Sequence, residues 1–117
     1  MSEAPTFNQA LGLRPSEEPG TVLLEPRPEH QVVPGVIHFA VLTTLAEVSA
    51  AHAVGVPVVP ASVTVHLLSA ATLAPLTGRG RVLRKGKRMA VAEGEVTQDG
   101  RLVAKATVQF ALATPSA

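Results

Sequence analysis

From Gly35 to Val54 the chain meets no proline and no further glycine until Gly55, and apolar residues lie almost all round a helix drawn through it. Val36, Ile37, Phe39, Val41, Leu42, Leu45 and Val48 recur among alanines at 40, 46, 50, 51 and 53. A helix that is apolar on every side has to be buried. About eighteen residues make a rod of roughly 27 Å, so a large surface must cover it. Everything after it reads as strand. Ala61 to Leu68 alternates, with Val63, Val65 and Leu67 on one face and Ser62, Thr64 and His66 on the other. Leu76 to Lys85 forms the next strand, Gly86 turns it into Arg88 to Thr97, and Gln98-Asp99-Gly100 is a hairpin signal. Arg101 to Thr114 closes the chain, with Leu102, Ala104, Ala106, Val108, Phe110 and Leu112 on one face. Strands of about ten residues span roughly 33 Å, long enough to cover the helix.

The N-terminal third is irregular. Five of the ten prolines lie between Pro5 and Pro28. Residues 1–20 read as an extension with room for a short helix over Thr6 to Leu13, packed by Phe7, Leu11 and Leu13. Thr21 to Glu25 reads as a short strand. The order is then strand, long buried helix and four strands in a meander. This is an α+β arrangement in which one antiparallel sheet of five or six strands wraps one central helix. A chain of 117 residues suits a single domain, 1–117.

Composition narrows the function classes. Phe7, Phe39 and Phe110 are the only aromatic residues, too few for base-stacking platforms. A formal charge of +1 gives no general attraction to nucleic acid or to an anionic membrane. Cysteine is absent, which excludes thiolate catalysis and Cys-ligated metal. His38 and His52 are too far apart on one helix to share an ion, and HExxH does not occur. The opening MSEAPTFNQA lacks an apolar signal core, and the most apolar stretch contains His38, Glu47 and His52, a poor membrane span. The expectation is a cytoplasmic protein without metal.

Glu47 is the most informative single residue. It stands mid-helix in LTTLAEVSAAHAV, and a carboxylate there must reach solvent, pair with a cation or do chemistry. His38 sits near the helix start, where capping and packing are its ordinary roles. Phe39 matters for its backbone: amides in the first turn lack intrahelical acceptors and can hold a developing oxyanion at the positive end of the dipole. Phe39 and Glu47 are eight positions apart, about 12 Å along one helix. One carbonyl cannot meet both, so a shared reaction centre needs two antiparallel copies of the helix. The segment RGRVLRKGKR, residues 79–88, holds most of the positive charge. It suits either a solvated hairpin with edge-protecting charges or recognition of phosphates. Ser49, in EVSAA, has no nucleophile-elbow context.

These residues carry a resemblance. Gly35-Val36-Ile37-His38-Phe39-Ala40, followed by Glu47 nine residues after the histidine, resembles the G-x-x-H-G-G pattern and downstream acid of hotdog thioesterases of the phenylacetyl-CoA (PaaI-like) type. SVTVHLLSAATLAPLTGRGRVLRKGKRMAVAEGEV and QDGRLVAKATVQFAL look like that family's later strands, so the likeness covers roughly residues 20–113. Phe39-Ala40 replaces the double glycine, and Val32 stands where the family often has asparagine. PEHQVVPGVI also looks like the helix start of hotdog dehydratases, but Pro26 and Ala40 occupy the places of their histidine and glutamate.

The resemblance implies a hotdog fold and an acyl-CoA thioesterase acting on a small acyl or aryl thioester at a subunit interface, in a homodimer or homotetramer. Glu47 would be general base or nucleophile. The Phe39 amide would polarise the thioester carbonyl, its ring walling the acyl pocket, and His38 would orient the substrate or the start of the helix. Gly35, Thr43 and Thr44 would border the substrate, and Arg84, Lys85 and Lys87 would meet the CoA phosphates. Coenzyme A would enter only as part of the substrate, with no separate cofactor. The rival expectation is a hotdog domain that binds acyl-CoA or a fatty acyl ligand with little turnover.

Overall fold

The alternation of β-branched and small residues that marks strands 58–112 resolves, in a computed structural model describing residues 4–113, into one antiparallel sheet. Its strands are β1 (Arg14–Pro15), β2 (Thr21–Leu24), β5 (Val58–Leu67), β6 (Leu76–Lys85), β7 (Met89–Gln98) and β8 (Arg101–Leu112), in the order β1-β2-β6-β7-β8-β5. A separate hairpin pairs β3 (Gln31–Val33) with β4 (Val36–Ile37). The helices are α1 (Phe7–Leu11) and α2 (Phe39–Val54). This is the antiparallel sheet wrapped around one long helix that the sequence predicts. The expected end of the last strand at Thr114 lies outside the described residues.

Three expectations need correction. The long helix starts at Phe39, not Gly35. Pro34-Gly35 makes the β3–β4 turn instead, with Gly35 at φ +85°, a left-handed conformation that glycine adopts without strain. The four later strands are not a single meander: β5 pairs with β8 at the far edge, and the loop 68–75 returns the chain to β6, which lies between β2 and β7. The short N-terminal helix exists but is not packed by Phe7, which is 71% exposed. Thr6 caps it through a reciprocal capping box with Gln9. The Asp99-Gly100 turn behaves as its residues predict, with positive φ at both positions, the type I′ geometry that suits a two-residue hairpin.

The core is aliphatic. The inward side of β6–β8, with Leu76, Ala90, Ala92, Val96, Ala104, Ala106, Val108 and Phe110, closes on Val41, Leu42, Leu45, Ala46, Val48 and Ala50 of α2. Small residues set the spacing. A Cβ on Gly78 would strike the Ser49 side chain, on Gly80 the Ser49 carbonyl, and on Gly94 the Ala46 carbonyl. Three glycines across β6 and β7 thus let the sheet lie directly on the helix backbone. The opposite sheet face is charged: Arg81 and Lys105 both pair with Glu93, and Lys105 also reaches Glu95.

Two surfaces stay uncovered. One is the α2 stripe Phe39, Ala40, Thr43, Thr44, Glu47 and Ala51, partly or fully exposed while the other residues from Val41 to Ala50 are buried. The other is the free edge of β5, ten residues long and carrying exposed Val59, Val63 and Leu67. The other edge ends in two-residue β1 with Pro15, a form that resists pairing.

Candidate active site

The start of α2 is built by His38. It is the N-cap, with extended backbone (φ −62°, ψ 139°), and its Nδ1 accepts the Ala40 amide at 2.9 Å. Its carbonyl accepts the Val41 amide at 3.0 Å, and Nε2 is left to carry the ring proton. Of the first-turn amides, Ala40 and Val41 are therefore satisfied. The Phe39 N–H has no acceptor among the described residues. The Phe39 ring is 56% exposed and stacks on the His38 imidazole, centroids 4.6 Å apart. The ring, expected as a wall of the acyl pocket, stands at the surface beside its own free amide.

Two turns on, Glu47 is half-buried on the same uncovered stripe. Burial pushes its carboxyl above the usual glutamate range, and no cation among the described residues offsets that shift. Between Phe39 and Glu47, at four-residue spacing, lies Thr43. Its hydroxyl oxygen is buried and has no partner among the described residues. The neighbouring Thr44 hydroxyl donates to the Ala40 carbonyl at 2.8 Å, and Ser49 does the same to Leu45 at 2.7 Å. Thr43 is thus the one hydroxyl of the three that the helix backbone does not engage.

The remaining sequence candidates are not brought to this point. Gly35 lies in the β3–β4 turn, its amide donating to Gln31 Oε1 at 2.6 Å, before the helix rather than in its first turn. Arg84, Lys85 and Lys87 are exposed at the β6–β7 hairpin. Arg84 and Lys87 border an open cleft of about 290 Å³ with Arg88. Lys85 Nζ reaches the Val54 carbonyl at 3.4 Å, which fixes this hairpin at the C-terminal end of α2, some 22 Å along the helix from Phe39. His30 is buried: Nδ1 accepts the Arg27 amide at 3.0 Å, and burial holds its pKa below the usual histidine range. No group of three or more metal-ligating side chains occurs among the described residues, and no described helix is long and apolar enough to cross a membrane.

Gln98 escapes sequence reasoning, which takes it for a turn residue. It is buried, its Nε2 donates to the carbonyls of Thr72 and Ala74 (2.9 and 2.7 Å), and its Oε1 accepts the Thr72 amide (2.9 Å). A glutamine ending a strand whose inward face is otherwise small and apolar was the available signal.

Comparison with known proteins agrees with this fold. No curated protein sequence matches the chain. Among solved structures it is similar to a mutant form of the phenylacetic acid degradation protein PaaI from Thermus thermophilus. That match has 28% identity and a TM-score of 0.82, over 92% of this chain and 98% of that one. It is similar in fold to a candidate esterase of Mycobacterium tuberculosis (23% identity, TM-score 0.85, 95% and 98% covered). A Bacillus halodurans protein solved with CoA has the same fold (21% identity, TM-score 0.83, 95% and 78% covered). The family model described as the acyl-CoA thioesterase N-terminal domain matches residues 28–111, which include α2 and the sheet from β5 to β8. The chain belongs to that acyl-CoA thioesterase family.

Proposed function

We propose that this chain is a thioesterase of the PaaI-like type that hydrolyses a small acyl- or aryl-CoA at a site shared by two copies. The observation that carries the proposal is the single exposed stripe of α2. It bears an unsatisfied amide at Phe39 and an unpaired, half-buried carboxylate at Glu47. The two are about 12 Å apart in one chain, so each needs its counterpart from a second helix. The β5 edge favours that pairing, because a long apolar edge strand is a template for a second strand. Two-fold pairing of β5 with itself sets the two α2 helices antiparallel and turns Phe39 of one copy toward Glu47 of the other.

In this mechanism Glu47 takes a proton from water as it attacks the thioester carbon. The Phe39 N–H receives the oxyanion, aided by the helix dipole. Collapse expels the CoA thiolate, which takes the proton back from Glu47, and the free acid leaves. Direct attack by the carboxylate would pass through a mixed anhydride and use the same donor. Thr43, one turn before Glu47, holds the water. His38 acts by fixing the helix start rather than by touching the substrate. Arg84, Lys85 and Lys87, at the far end of α2, come beside the partner's helix start in the antiparallel pair and meet the CoA phosphates. A second reading, an acyl-CoA-binding domain without turnover, is favoured by one feature: Phe39-Ala40 stands where the family has two glycines, placing an exposed ring against the site.

Phe39 is the first helical residue, its amide is free, and the preceding His38 is extended, so proline fits there with little loss of stability. Phe39→Pro thus deletes the donor together with the ring, and Phe39→Ala, which keeps the N–H, is the control for loss of the ring. Phe39→Pro and Glu47→Gln should each be inactive. A mixture of the two should recover about a quarter of wild-type activity, because half of its dimers contain one intact site. Absence of recovery in demonstrably mixed dimers would contradict the shared site. Binding of acyl-CoA without hydrolysis by the wild type would favour the second reading.

A further inference from the structure

We infer that His30 is a positioning residue for the oxyanion donor: its neutral imidazole locks the turn before β3 to the start of α2, and protonation of the ring releases that lock. The inference rests on the thioesterase reading above, in which the Phe39 N–H receives the oxyanion.

Two bonds make the connection. His30 ends the single 3₁₀ turn Pro28–His30, and its carbonyl accepts the His38 amide at 2.8 Å. His38 caps α2, and the free Phe39 N–H is the next amide along the chain. The Gln31–Ile37 pair lies just inside this bond, so His30 and His38 close the base of the β3–β4 hairpin. On the side-chain end, Nδ1 of His30 accepts the Arg27 amide at 3.0 Å. The Arg27 guanidinium is tied in turn to Glu29 Oε2 at 3.0 Å and to the Ala10 carbonyl of α1 at 2.7 Å. The imidazole is thus the link through which a turn anchored on α1 holds the residue that precedes the donor. From the other side the Ile37 amide donates to the Ala71 carbonyl at 2.9 Å. Loss of the His30 bond is therefore expected to displace the donor rather than to unfold α2.

The lock works in one protonation state. An Nδ1 that accepts an amide carries no proton, which leaves the ring proton on Nε2. That nitrogen is buried without a partner among the described residues, in a residue only 6% exposed. A second proton would set an Nδ1–H against the Arg27 N–H, two donors with no acceptor between them. It would also place a full charge where little water reaches. The ionisable side chains that act on the ring are Arg27, which opposes the charge, and Glu29, which favours it; burial outweighs both. Arg27 and Glu29 are paired with each other. From the packed elements, α1 contributes the Ala10 carbonyl to Arg27, and the start of α2 contributes His38, bonded through its main-chain N–H. Asparagine supplies an Oδ1 in the place of Nδ1 and gains no proton, so His30→Asn separates the bond from its titration.

The test uses the full-length protein with isotope-labelled histidine. Its four histidines are titrated by NMR between about pH 4 and 8, and the His30 signal is assigned by its loss in His30→Asn. His30 should be the Nε2–H tautomer and should protonate below the free histidine range. The Phe39 amide signal should follow the same midpoint in wild type and lose that step in His30→Asn. A step from the neighbouring His38 ring stays in place in the variant, which separates the two. On the preferred acyl-CoA at neutral pH, His30→Ala should lower kcat about tenfold or more with KM changed less, since a displaced donor forfeits part of the roughly hundredfold effect of an oxyanion contact. His30→Asn should recover most of that loss. An Nδ1–H tautomer, a Phe39 amide that ignores the His30 titration, or a folded His30→Ala with wild-type kcat would overturn the lock. If His30→Ala does not fold, His30→Asn and the titration decide. If wild type hydrolyses no acyl-CoA, the thioesterase reading fails, and the tautomer and the Phe39 amide still decide whether the lock exists.

Discussion

Gly94 on β7 faces Ala46 on α2 so closely that a Cβ at position 94 would collide with the Ala46 carbonyl oxygen. Ala46 directly precedes Glu47, so this contact fixes the height of the catalytic candidate over the sheet. Gly80 against Ser49 repeats it one turn further on. The chemistry proposed for α2 depends on a helix whose backbone rests on glycines and so turns a fixed stripe outward.

Gly94→Ala is therefore expected to destabilise the fold by about 3 kcal/mol or more, at or beyond the upper end of ordinary overpacking, because a backbone carbonyl cannot swing away as a side chain would. Gly86→Ala, where the nearest neighbour is the Met89 carbonyl at 3.4 Å, is expected to cost far less. Urea denaturation of the two variants against wild type checks the contrast.

This relationship also shows where the sequence was legible. The long apolar run, the strand alternation and the Asp99-Gly100 turn follow from periodicity and turn chemistry, which are local properties. The helix start was misplaced because Pro34-Gly35 serves a helix and a hairpin equally well, and only the His38 cap decides between them. The position of β5 beside β8, the glycine bed under α2 and the Gln98 clamp all join residues distant in sequence, so no local pattern encodes them. At the candidate site, Glu47 and the Phe39 amide were legible from helix chemistry. The exposure of the Phe39 ring and the unengaged hydroxyl of Thr43 required the fold.

The elevated Glu47 carboxyl gives a pH signature. Its folded pKa lies above its unfolded value because burial disfavours the charged form. Activity, which needs the carboxylate, should fall on the acid side at a pH above the ordinary glutamate range. Stability from this group moves the other way: it is gained as pH falls through the folded pKa, where the folded state takes up a proton more readily than the unfolded chain. Rate and denaturation profiles between pH 4 and 8 check both, and Glu47→Gln should remove this group's contribution from the stability profile.

Gln98 is a positioning residue. Gln98→Leu should cost about 1 kcal/mol or more, since it removes the hydrogen bonds by which a buried side-chain amide holds the partly exposed backbone of Thr72 and Ala74. Loosening of the loop 68–75, which packs beside the first turn of α2, should lower the Tm and kcat/KM for the preferred acyl-CoA. Thermal denaturation and steady-state kinetics check it; an unchanged Tm would contradict the clamp.

The most direct measurement is the initial rate of thiol release from a panel of short, medium, aromatic and long-chain acyl-CoAs by the wild-type protein and by Glu47→Gln, with oligomeric state verified by sedimentation for each. The account predicts measurable hydrolysis of at least one short, medium or aromatic thioester by a wild type that is at least dimeric. It predicts a loss of about a hundredfold or more in Glu47→Gln with the assembly intact. A wild-type rate that Glu47→Gln leaves unchanged, or a protein that is monomeric at micromolar concentration and still active, would contradict it.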